Sequence, residues 1–315
     1  MNLLVTGGAG FIGSHFVRSV LADALPGLAG ARVTVLDKLT GTGAFANLGP
    51  VAEHERLNFV PGDIAETALI EAVLPGHDAV VHFAAERSEA FVTTNVLGTH
   101  VLLDAARRHG TSRYVQVSTD AVYGPISTGA CTETSPLAPT SPYAATRAAG
   151  DLLALAYHRT HGLPVVVTRS ANTYGPYQPP GKLIPRFVTN LLAGRTVPLY
   201  GDGGQIRDWV HVDDHCRAIA LALLEGEAGE IYHIGGSQEL TNRELTGMLL
   251  AECGADWAQV VAVEDHNHDR RHSMDDQKIR QNLGYQPRTT LATGLAATVQ
   301  WYRDNEEWWR PTLTE

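Results

Sequence analysis

Short runs of consecutive apolar residues alternate along this chain with longer stretches in which apolar residues recur every three or four positions. The apolar runs predict buried strands at 3–5, 33–36, 57–60, 79–83, 114–117 and 165–168. The other stretches predict helices after about position 13, from about 95, where Leu97, Val101, Leu102 and Ala105 share a face, and over about 142–161. This alternation is typical of an α/β fold with a doubly wound parallel sheet.

The regular alternation loosens beyond about position 172. Short strands and helices then mix with turns rich in glycine and proline, as at 201–204. We expect a nucleotide-binding domain over 1–171. We expect 172–315 to form mainly a smaller mixed α/β lobe for the substrate, with some segments returning to the core. Such a lobe would cover the carboxyl ends of the strands, where doubly wound sheets bind ligands.

Composition and charge narrow the classes of protein that remain. Of the 315 residues, 44% are hydrophobic, and 24 Lys and Arg against 34 Asp and Glu give a net charge of −10. This balance argues against a nucleic-acid-binding surface, and no apolar run is long enough to span a membrane. The three cysteines, Cys131, Cys216 and Cys253, lie far apart in the sequence. Their spacing matches neither a disulfide framework nor a zinc site. We therefore expect a cytoplasmic protein.

A glycine triplet follows the first strand and opens the first helix. Gly7 permits a tight turn, Gly10 lets backbone amides approach a pyrophosphate, and Gly13 allows close helix–strand packing. Asp37 ends the second strand, where a carboxylate accepts hydrogen bonds from both ribose hydroxyls and repels a 2′-phosphate. The pattern therefore predicts a Rossmann-type NAD site and favours NAD over NADP.

Further residues are assigned to the same cofactor site by their positions at helix and strand ends. Asp63 follows the third strand, where it is placed either to contact the adenine edge or to cap a helix. The other assigned residues are Phe11 and Ile12 at the helix start, Ile64 beside Asp63, and Ala84 after the fourth strand.

Candidate catalytic residues follow the fifth strand and begin the long helix. Tyr143 and Arg147 lie four apart on one helix face, so the cation favours the phenolate of a tyrosine that acts as a general base. Thr119, on the facing strand, is placed to share the substrate oxygen. A tyrosine alone is more often a packing residue, but the glycine triplet favours the catalytic interpretation.

The sequence resembles the extended short-chain dehydrogenase/reductase family, and within it the dTDP-glucose 4,6-dehydratase group, over nearly the whole chain. The matching segments are the glycine triplet, 82–86, 118–120, 141–143, 174–178, 182–185, 200–203, 207–209 and 268–271. The resemblance implies that Tyr143 takes the C4 hydroxyl proton of a sugar as hydride passes to NAD. An Asp then protonates the leaving 6-hydroxyl, and a neighbouring Glu removes the C5 proton. It also implies a homodimer paired through the helix that carries Tyr143.

Several positions depart from the family pattern at the sugar end of the site. The acid is kept as Asp120, but the position of the Glu base holds Ala121, and the usual lysine is Arg147. The loop after Glu86 is shortened to 87–91, and the turn 39–44 and the segment 172–174 also differ. Asp120 is therefore predicted to act as both acid and base, with Glu86 as the competing base.

The resemblance also implies residues that hold the substrate. These are Asn172, Lys182, Arg207 and Arg271, although the family's Arg-Pro-Gly is replaced at 265–267. A cluster of His266, His268 and His272 matches a ligand-binding loop, and no carboxylate or cysteine pattern supports a metal there.

We predict an NAD-dependent dehydratase that acts on a nucleotide sugar or a related nucleoside. A product that keeps a 5,6-ene stays open because of the altered 87–91 loop and the lost Arg-Pro-Gly. A nucleotide-sugar epimerase or decarboxylase is the alternative, since neither needs a base at 121. A degenerate paralogue that only binds NAD, as a regulator or scaffold, is a further alternative.

Overall fold

The predicted apolar runs form strands of one parallel sheet in the computed structural model. The structure describes residues 1–40, 45–87, 90–236, 238–265 and 269–312. A seven-stranded sheet has the order β10-β6-β5-β4-β1-β2-β3, with every neighbouring pair parallel. The strands are β1 (Asn2–Thr6), β2 (Arg32–Asp37), β3 (Leu57–Pro61), β4 (Ala79–His82), β5 (Arg113–Thr119), β6 (Val165–Ser170), β7 (Asn172–Tyr174), β8 (Val197–Tyr200), β9 (Ile206–His211), β10 (Ile231–Ile234), β11 (Glu239–Thr241), β12 (Val260–Val263) and β13 (Arg271–His272).

Helices cover both faces of this sheet. One apolar core holds side chains of α1 and α6, and a second, on the opposite face, holds side chains of α3 and α4. The helices are α1 (Phe11–Leu21), α2 (Thr67–Val73), α3 (Thr99–Arg108), α4 (Pro142–His161), α5 (Leu183–Leu192), α6 (Val212–Glu225), α7 (Asn242–Cys253), α8 (Gln277–Leu283), α9 (Leu291–Asp304) and α10 (Glu306–Trp309). The predicted α/β Rossmann-type fold is confirmed.

The helix that carries Tyr143 has the predicted limits. Ser141 caps its start by accepting a hydrogen bond from the Ala144 amide at 3.2 Å, and Pro142 occupies the first turn. Gly162 ends the helix in the left-handed conformation that glycine adopts without strain. Tyr143 therefore lies in the first turn of α4, next to the carboxyl end of β5.

The predicted helix from about position 95 differs from the observed one. Residues Thr93–Gly98 form a π-helical turn before α3 begins. The extra residue in that turn shifts the helical register, and Leu97 is 48% exposed although it was expected on the buried face. Val101, Leu102 and Ala105 are buried as predicted.

The C-terminal half builds a second region with its own apolar core and also contributes to the sheet. This third core combines side chains of α5, α7 and α9 with Trp309. β10 joins the main sheet beside β6, so part of the second half returns to the first. β7, β9, β11 and β13 form a separate small sheet near the ends of β5 and β6. The boundary between 171 and 172 remains a prediction.

Candidate active site

The glycine turn after β1 is closed tightly against the end of β4. Gly7 has φ +70°, and a Cβ there would lie 2.5 Å from the Ala84 nitrogen. A Cβ on Gly13 would lie 2.3 Å from the Gly7 oxygen. Gly10 is the N-cap of α1 and presents no side chain over the first turn, where Phe11 and Ile12 are half-buried. The start of α1 is thus open to a pyrophosphate.

Asp37 is fixed at the end of β2 beside this turn. Its Oδ2 accepts a hydrogen bond from the Ala9 amide at 3.0 Å, and its Oδ1 accepts one from the Leu39 amide at 2.9 Å. The carboxylate is therefore oriented by backbone groups of both neighbouring loops. This is the position predicted for a group that binds ribose hydroxyls.

A cleft opens at this edge of the sheet, between the ends of β1, β2 and β4. The site residues predicted from the sequence that line this cleft are Gly7, Gly10, Asp37, Ile64, Ala84 and Glu86. Asp63 does not cap α2. Its Oδ1 accepts from the Ala65 amide at 2.9 Å, and its Oδ2 lies 3.3 Å from Lys38 Nζ.

Glu86 lies on the β2 side of the cleft. Its carboxylate accepts a short hydrogen bond from Thr40 and lies 3.6 Å from Lys38 Nζ. The Asn95 side chain holds the Glu86 backbone: its Oδ1 accepts from the Glu86 amide at 2.8 Å, and its Nδ2 donates to the Glu86 oxygen at 2.9 Å. These contacts direct the carboxylate towards the cofactor cleft and favour Asp120 over Glu86 as the group that acts on the sugar.

Thr119 and Asp120 form a hydrogen-bonded pair at the end of β5. Thr119 Oγ1 donates to Asp120 Oδ1 at 3.1 Å and accepts from the Ala121 amide at 3.3 Å, which caps a short 3₁₀ helix. Burial raises the pKa of Asp120, while the charges of His272 and Arg207 oppose that rise. A carboxyl with a raised pKa is a stronger base when it is ionised and holds a proton to a higher pH than an exposed one, so it is suited both to accept and to deliver a proton.

Positive and titratable groups of the small sheet surround Asp120. Arg207 on β9 and His272 on β13 are register partners in parallel strands, so their side chains share a face. Arg207 donates to the backbone oxygens of Ile206 at 2.7 Å and Asp269 at 2.6 Å. The structure therefore places Arg207 near Asp120.

Tyr143 is half-buried at the start of α4, and Arg87 stacks on it, with the guanidinium carbon 4.0 Å from the ring centre. Arg147, one turn further, is buried and donates a short hydrogen bond to the Val117 oxygen. Within the described residues, the buried Nε and Nη1 of Arg147 have no hydrogen-bond partner. Hydroxyl groups of a bound ribose would satisfy them, since buried polar groups are normally paired.

The predicted substrate residues are not all brought together. Arg271 lies on the opposite strand face from His272 and pairs with Glu239 at 2.7 Å. Lys182 precedes α5, and desolvation together with the charge of Arg87 lowers its pKa to about 8. Asn172, half-buried, begins β7. Arg207 and Lys182 thus remain candidates near the reacting groups, whereas Arg271 is already neutralised by a carboxylate.

Some predicted features lie outside the described residues. They are positions 41–44 of the turn after β2, Ser88 and Glu89 of the shortened loop, and 266–268, including His266 and His268. Across the described ranges, no group of three His, Cys, Asp or Glu side chains is arranged to hold a metal ion. No helix in the described part of the chain is long and apolar enough to cross a membrane.

Two residues near the reacting groups were not predicted as site residues. Arg87 contacts the Tyr143 ring, and its only sequence signal is its place in the shortened loop. The sequence indicates His272 only as a member of a histidine cluster, yet it lies beside Arg207 and influences Asp120. The position of Arg87 depends on a loop and that of His272 on strand pairing, and no local sequence pattern indicates either.

Comparison with known proteins identifies the family. Residues 4–298 match the GDP-mannose 4,6 dehydratase family. The chain belongs to this family of extended short-chain dehydrogenases/reductases. It is 58% identical to a dTDP-glucose 4,6-dehydratase of Streptomyces niveus, over 99% of this chain and 95% of that protein.

Solved structures support the same assignment. The DesIV dTDP-glucose 4,6-dehydratase of Streptomyces venezuelae, solved with NAD bound, has a TM-score of 0.97 at 58% identity, covering 99% of this chain and 100% of that one. A UDP-glucose 4-epimerase of Thermotoga maritima has a TM-score of 0.88 at 32% identity, covering 97% and 100%. Family and structural likeness show an NAD-dependent dehydratase, with the epimerases more distant.

The described residues fit NAD. The open start of α1, the fixed Asp37 carboxylate and the unpartnered nitrogens of Arg147 match a pyrophosphate, an adenosine ribose and a second ribose.

Replacement of Asp37 by Arg is expected to weaken NAD binding about 10- to 100-fold and to raise the relative affinity for NADP. A hydrogen bond to a charged group contributes about 1.5–3 kcal/mol, and Arg attracts a 2′-phosphate. Titration of both cofactors by fluorescence measures the effect. Asp304→Arg makes the same change of charge at the end of α9 and should leave both affinities unchanged. An unchanged preference in Asp37→Arg would remove Asp37 from the cofactor site.

Proposed function

We propose that this enzyme converts a nucleotide hexose, with dTDP-glucose as the first candidate, into the 4-keto-6-deoxy sugar by loss of water. The observation that carries the proposal is the group of Thr119, Asp120 and Tyr143 at the ends of β5 and α4. It lies in a chain 58%, 55% and 54% identical to relatives named dTDP-glucose 4,6-dehydratase. Arg207, whose charge acts on Asp120, and Lys182, which is affected by the charge of Arg87, are the cations proposed for substrate contacts.

Tyr143 acts first, as the general base that removes the C4 hydroxyl proton. NAD, when bound, supplies the reversible hydride acceptor that the reaction needs. Arg147 is buried one helical turn from Tyr143, and Arg87 lies over its ring, so two cations flank the proposed base. Thr119 holds the same substrate oxygen through its hydroxyl.

Asp120 performs the elimination. The 4-ketone acidifies the C5 proton, which Asp120 removes as a carboxylate and then delivers to the departing 6-hydroxyl. Ala121 carries neither an acid nor a base, and the Glu86 carboxylate is engaged on the β2 side of the cleft. One carboxyl on one face of the sugar therefore serves both roles.

The product formed from dTDP-glucose tests this function. The 4-keto-6-deoxy sugar and an alcohol that keeps a 5,6-ene have the same mass, which is that of the substrate less one water. Proton NMR separates them, because the first has a methyl doublet and the second has exocyclic vinyl protons. A methyl doublet is expected.

Other products would support other functions. The vinyl product is the second candidate, because Ala121 occupies the position at which the family has the Glu that removes the C5 proton. Unchanged mass with inverted stereochemistry at C4 would assign an epimerase. Loss of carbon dioxide from a nucleotide uronate would assign a decarboxylase. Failure of every sugar to reduce bound NAD would support the non-catalytic alternative.

A homodimer paired through α4 remains part of the proposal. On α4, Leu155 and Ala148 are buried in the chain's own core, while Leu152 is 56% exposed. Leu97 of the preceding π-turn is 48% exposed. Sedimentation at micromolar concentration should show a dimer, and Leu152→Glu should shift it towards monomer by burying a charge at the contact. A monomeric parent protein would contradict this.

The proposed location is the cytoplasm. Cys131, Cys216 and Cys253 are free thiols, and the first two are buried, which agrees with a reducing compartment. Cell fractionation followed by immunoblotting tests the assignment.

A further inference from the structure

The proposed use of a single carboxyl leaves a proton to be supplied later in the cycle. Once Asp120 has given the C5 proton to the departing water, it is ionised. Formation of the 6-deoxy product then needs a new proton at C5 when hydride returns to C6. Asp120 faces C5 but no longer holds one, so a neighbouring group must reload it. This argument rests on the proposed function.

The segment that carries His272 is fixed between β9 and the loop that follows Asp120. β13 pairs with β9, which sets His272 beside Arg207. On the other side, the Ile126 amide donates to the Arg271 oxygen at 3.0 Å, and the Cys131 amide donates to the Ser273 oxygen, also at 3.0 Å. His272 is thus held from two directions next to the chain that leaves Asp120.

The His272 ring is oriented by a carboxylate. Its Nε2 lies 3.1 Å from Asp269 Oδ2, which also accepts a hydrogen bond from Thr140 Oγ1 at 3.1 Å. The residue is 9% exposed. Within the described residues, Nδ1 makes no hydrogen bond. A carboxylate on one ring nitrogen fixes the tautomer and leaves the other nitrogen to exchange a proton.

Asp120 and His272 interact electrostatically. After burial, which raises the pKa of Asp120, the charge of His272 is the strongest opposing influence and exceeds that of Arg207. The imidazole is therefore close enough to affect the ionisation of the carboxyl that must be reloaded. The backbone contacts of Arg271 and Ser273 with Ile126 and Cys131 place the His272 segment against the chain that follows Asp120, which agrees with this interaction.

We propose that His272, oriented by Asp269, is the relay that returns a proton to Asp120 after water has left. The imidazolium gives its Nδ1 proton to the Asp120 carboxylate, which delivers it to C5, and the neutral ring then takes a proton from solvent. The original C5 proton leaves in the water, and the proton taken by Tyr143 goes to solvent. Protons and electrons balance without a further reagent. His272 acts through Asp120 and is a positioning and relay residue.

A single-turnover experiment with His272→Gln tests the relay. Glutamine keeps an N–H for Asp269 but cannot carry a proton. The absorbance of reduced nicotinamide should rise at the parental rate. It should then decay about 100-fold more slowly, which is the lower end of the range for loss of a group that transfers a proton. Mass spectrometry of the quenched mixture should show an enone that has already lost water.

Two further variants separate a relay from a general structural defect. Asp269→Asn should slow the same decay by a smaller factor, because it removes only the group that orients the ring. His109→Gln is the matched control: His109 also pairs with a carboxylate, Glu71 at 2.9 Å, but it ends α3 at the opposite edge of the sheet. In His109→Gln, the absorbance of reduced nicotinamide should rise and decay at the parental rates. Melting temperature and NAD affinity should be unchanged in all three variants.

The pH dependence of the decay provides a second readout. The charged or titratable groups around His272 are Asp269 on its own segment, Asp120, Arg207 on β9 and the Cys131 thiol of the neighbouring loop. The parental decay should slow as pH rises through the range in which an imidazole loses its proton. This dependence should be absent in His272→Gln.

The outcomes distinguish failure of the relay from failure of the proposed function. Parental decay and parental pH dependence in His272→Gln would overturn the relay while the dehydratase stands. Arrest of His272→Gln before water loss would also overturn it, since that would place His272 in the elimination. If the parent enzyme gives no dehydrated product from dTDP-glucose, the proposed function fails, and the relay fails with it.

Discussion

Tyr143→Phe is expected to lower turnover about 10²- to 10⁴-fold and to leave NAD affinity unchanged. The variant removes only the hydroxyl that accepts the C4 proton, and a positioned general base contributes a factor of this size. Arg147 and Arg87 keep their positions, because their contacts are with the Val117 oxygen and with the aromatic ring, which phenylalanine retains. Initial rates with dTDP-glucose and a cofactor titration measure the two effects separately.

A second tyrosine on the same helix provides the control for this prediction. Tyr157 lies more than three turns further along α4, and its hydroxyl contacts His100 Nδ1 at 2.9 Å, away from the cleft. Tyr157→Phe should keep parental turnover. Near-parental turnover in Tyr143→Phe would mean that a different residue begins the oxidation. Loss of NAD affinity together with activity would instead indicate damage to the cofactor site.

The features that could be predicted from the sequence are those with a local physical cause. The apolar runs become parallel strands, and inner strands such as β4 and β6 are buried on both faces, whereas the edge strand β3 is only half-buried. The limits of α4 follow from Ser141, Pro142 and Gly162, which act within one turn of each helix end. The glycine turn follows from Gly7, whose positive φ and contact with Ala84 exclude larger side chains.

The features that could not be predicted depend on residues distant in the chain. The charge of His272 influences Asp120 because the pairing of β13 with β9 brings residues distant in the chain to the same sheet, and nothing near position 272 signals that pairing. Arg87 lies over Tyr143, a residue distant in the chain, and no pattern near position 87 indicates that contact. The direction of Glu86 is set by Lys38 and Thr40 on another strand end.

The ion pair of Arg271 shows the limit of a resemblance. The family motif predicts a cation that faces the substrate, yet Glu239 on the neighbouring β11 neutralises it in this chain. The motif predicts that position 271 holds an arginine, but the carboxylate that pairs with it belongs to a different strand. Arg207, from the same small sheet, keeps its guanidinium near Asp120. We therefore expect substrate contacts at this end to depend more on Arg207 than on Arg271.

Asp120→Asn is expected to oxidise its substrate and then stop before water leaves. The amide can neither remove the C5 proton nor protonate the 6-hydroxyl, while Tyr143 and Arg147 are untouched. Turnover should fall by about 10²-fold or more, as for loss of a general acid or base. The absorbance of reduced nicotinamide should accumulate, and mass spectrometry of the quenched mixture should show a ketone that has kept all of its oxygen.

Glu86→Gln separates the single carboxyl from a pair of acids. Its carboxylate contacts Thr40 and Lys38 beside the cofactor cleft, so the variant should lose some NAD affinity and should eliminate water at a rate close to the parent's. Arrest of both variants at the ketone would assign the acid to one residue and the base to the other. Dehydration by Asp120→Asn at the parental rate would exclude Asp120 from the elimination. Arrest of Asp120→Asn alone, with the ketone as the trapped species, is the result that the contacts of these two carboxylates predict.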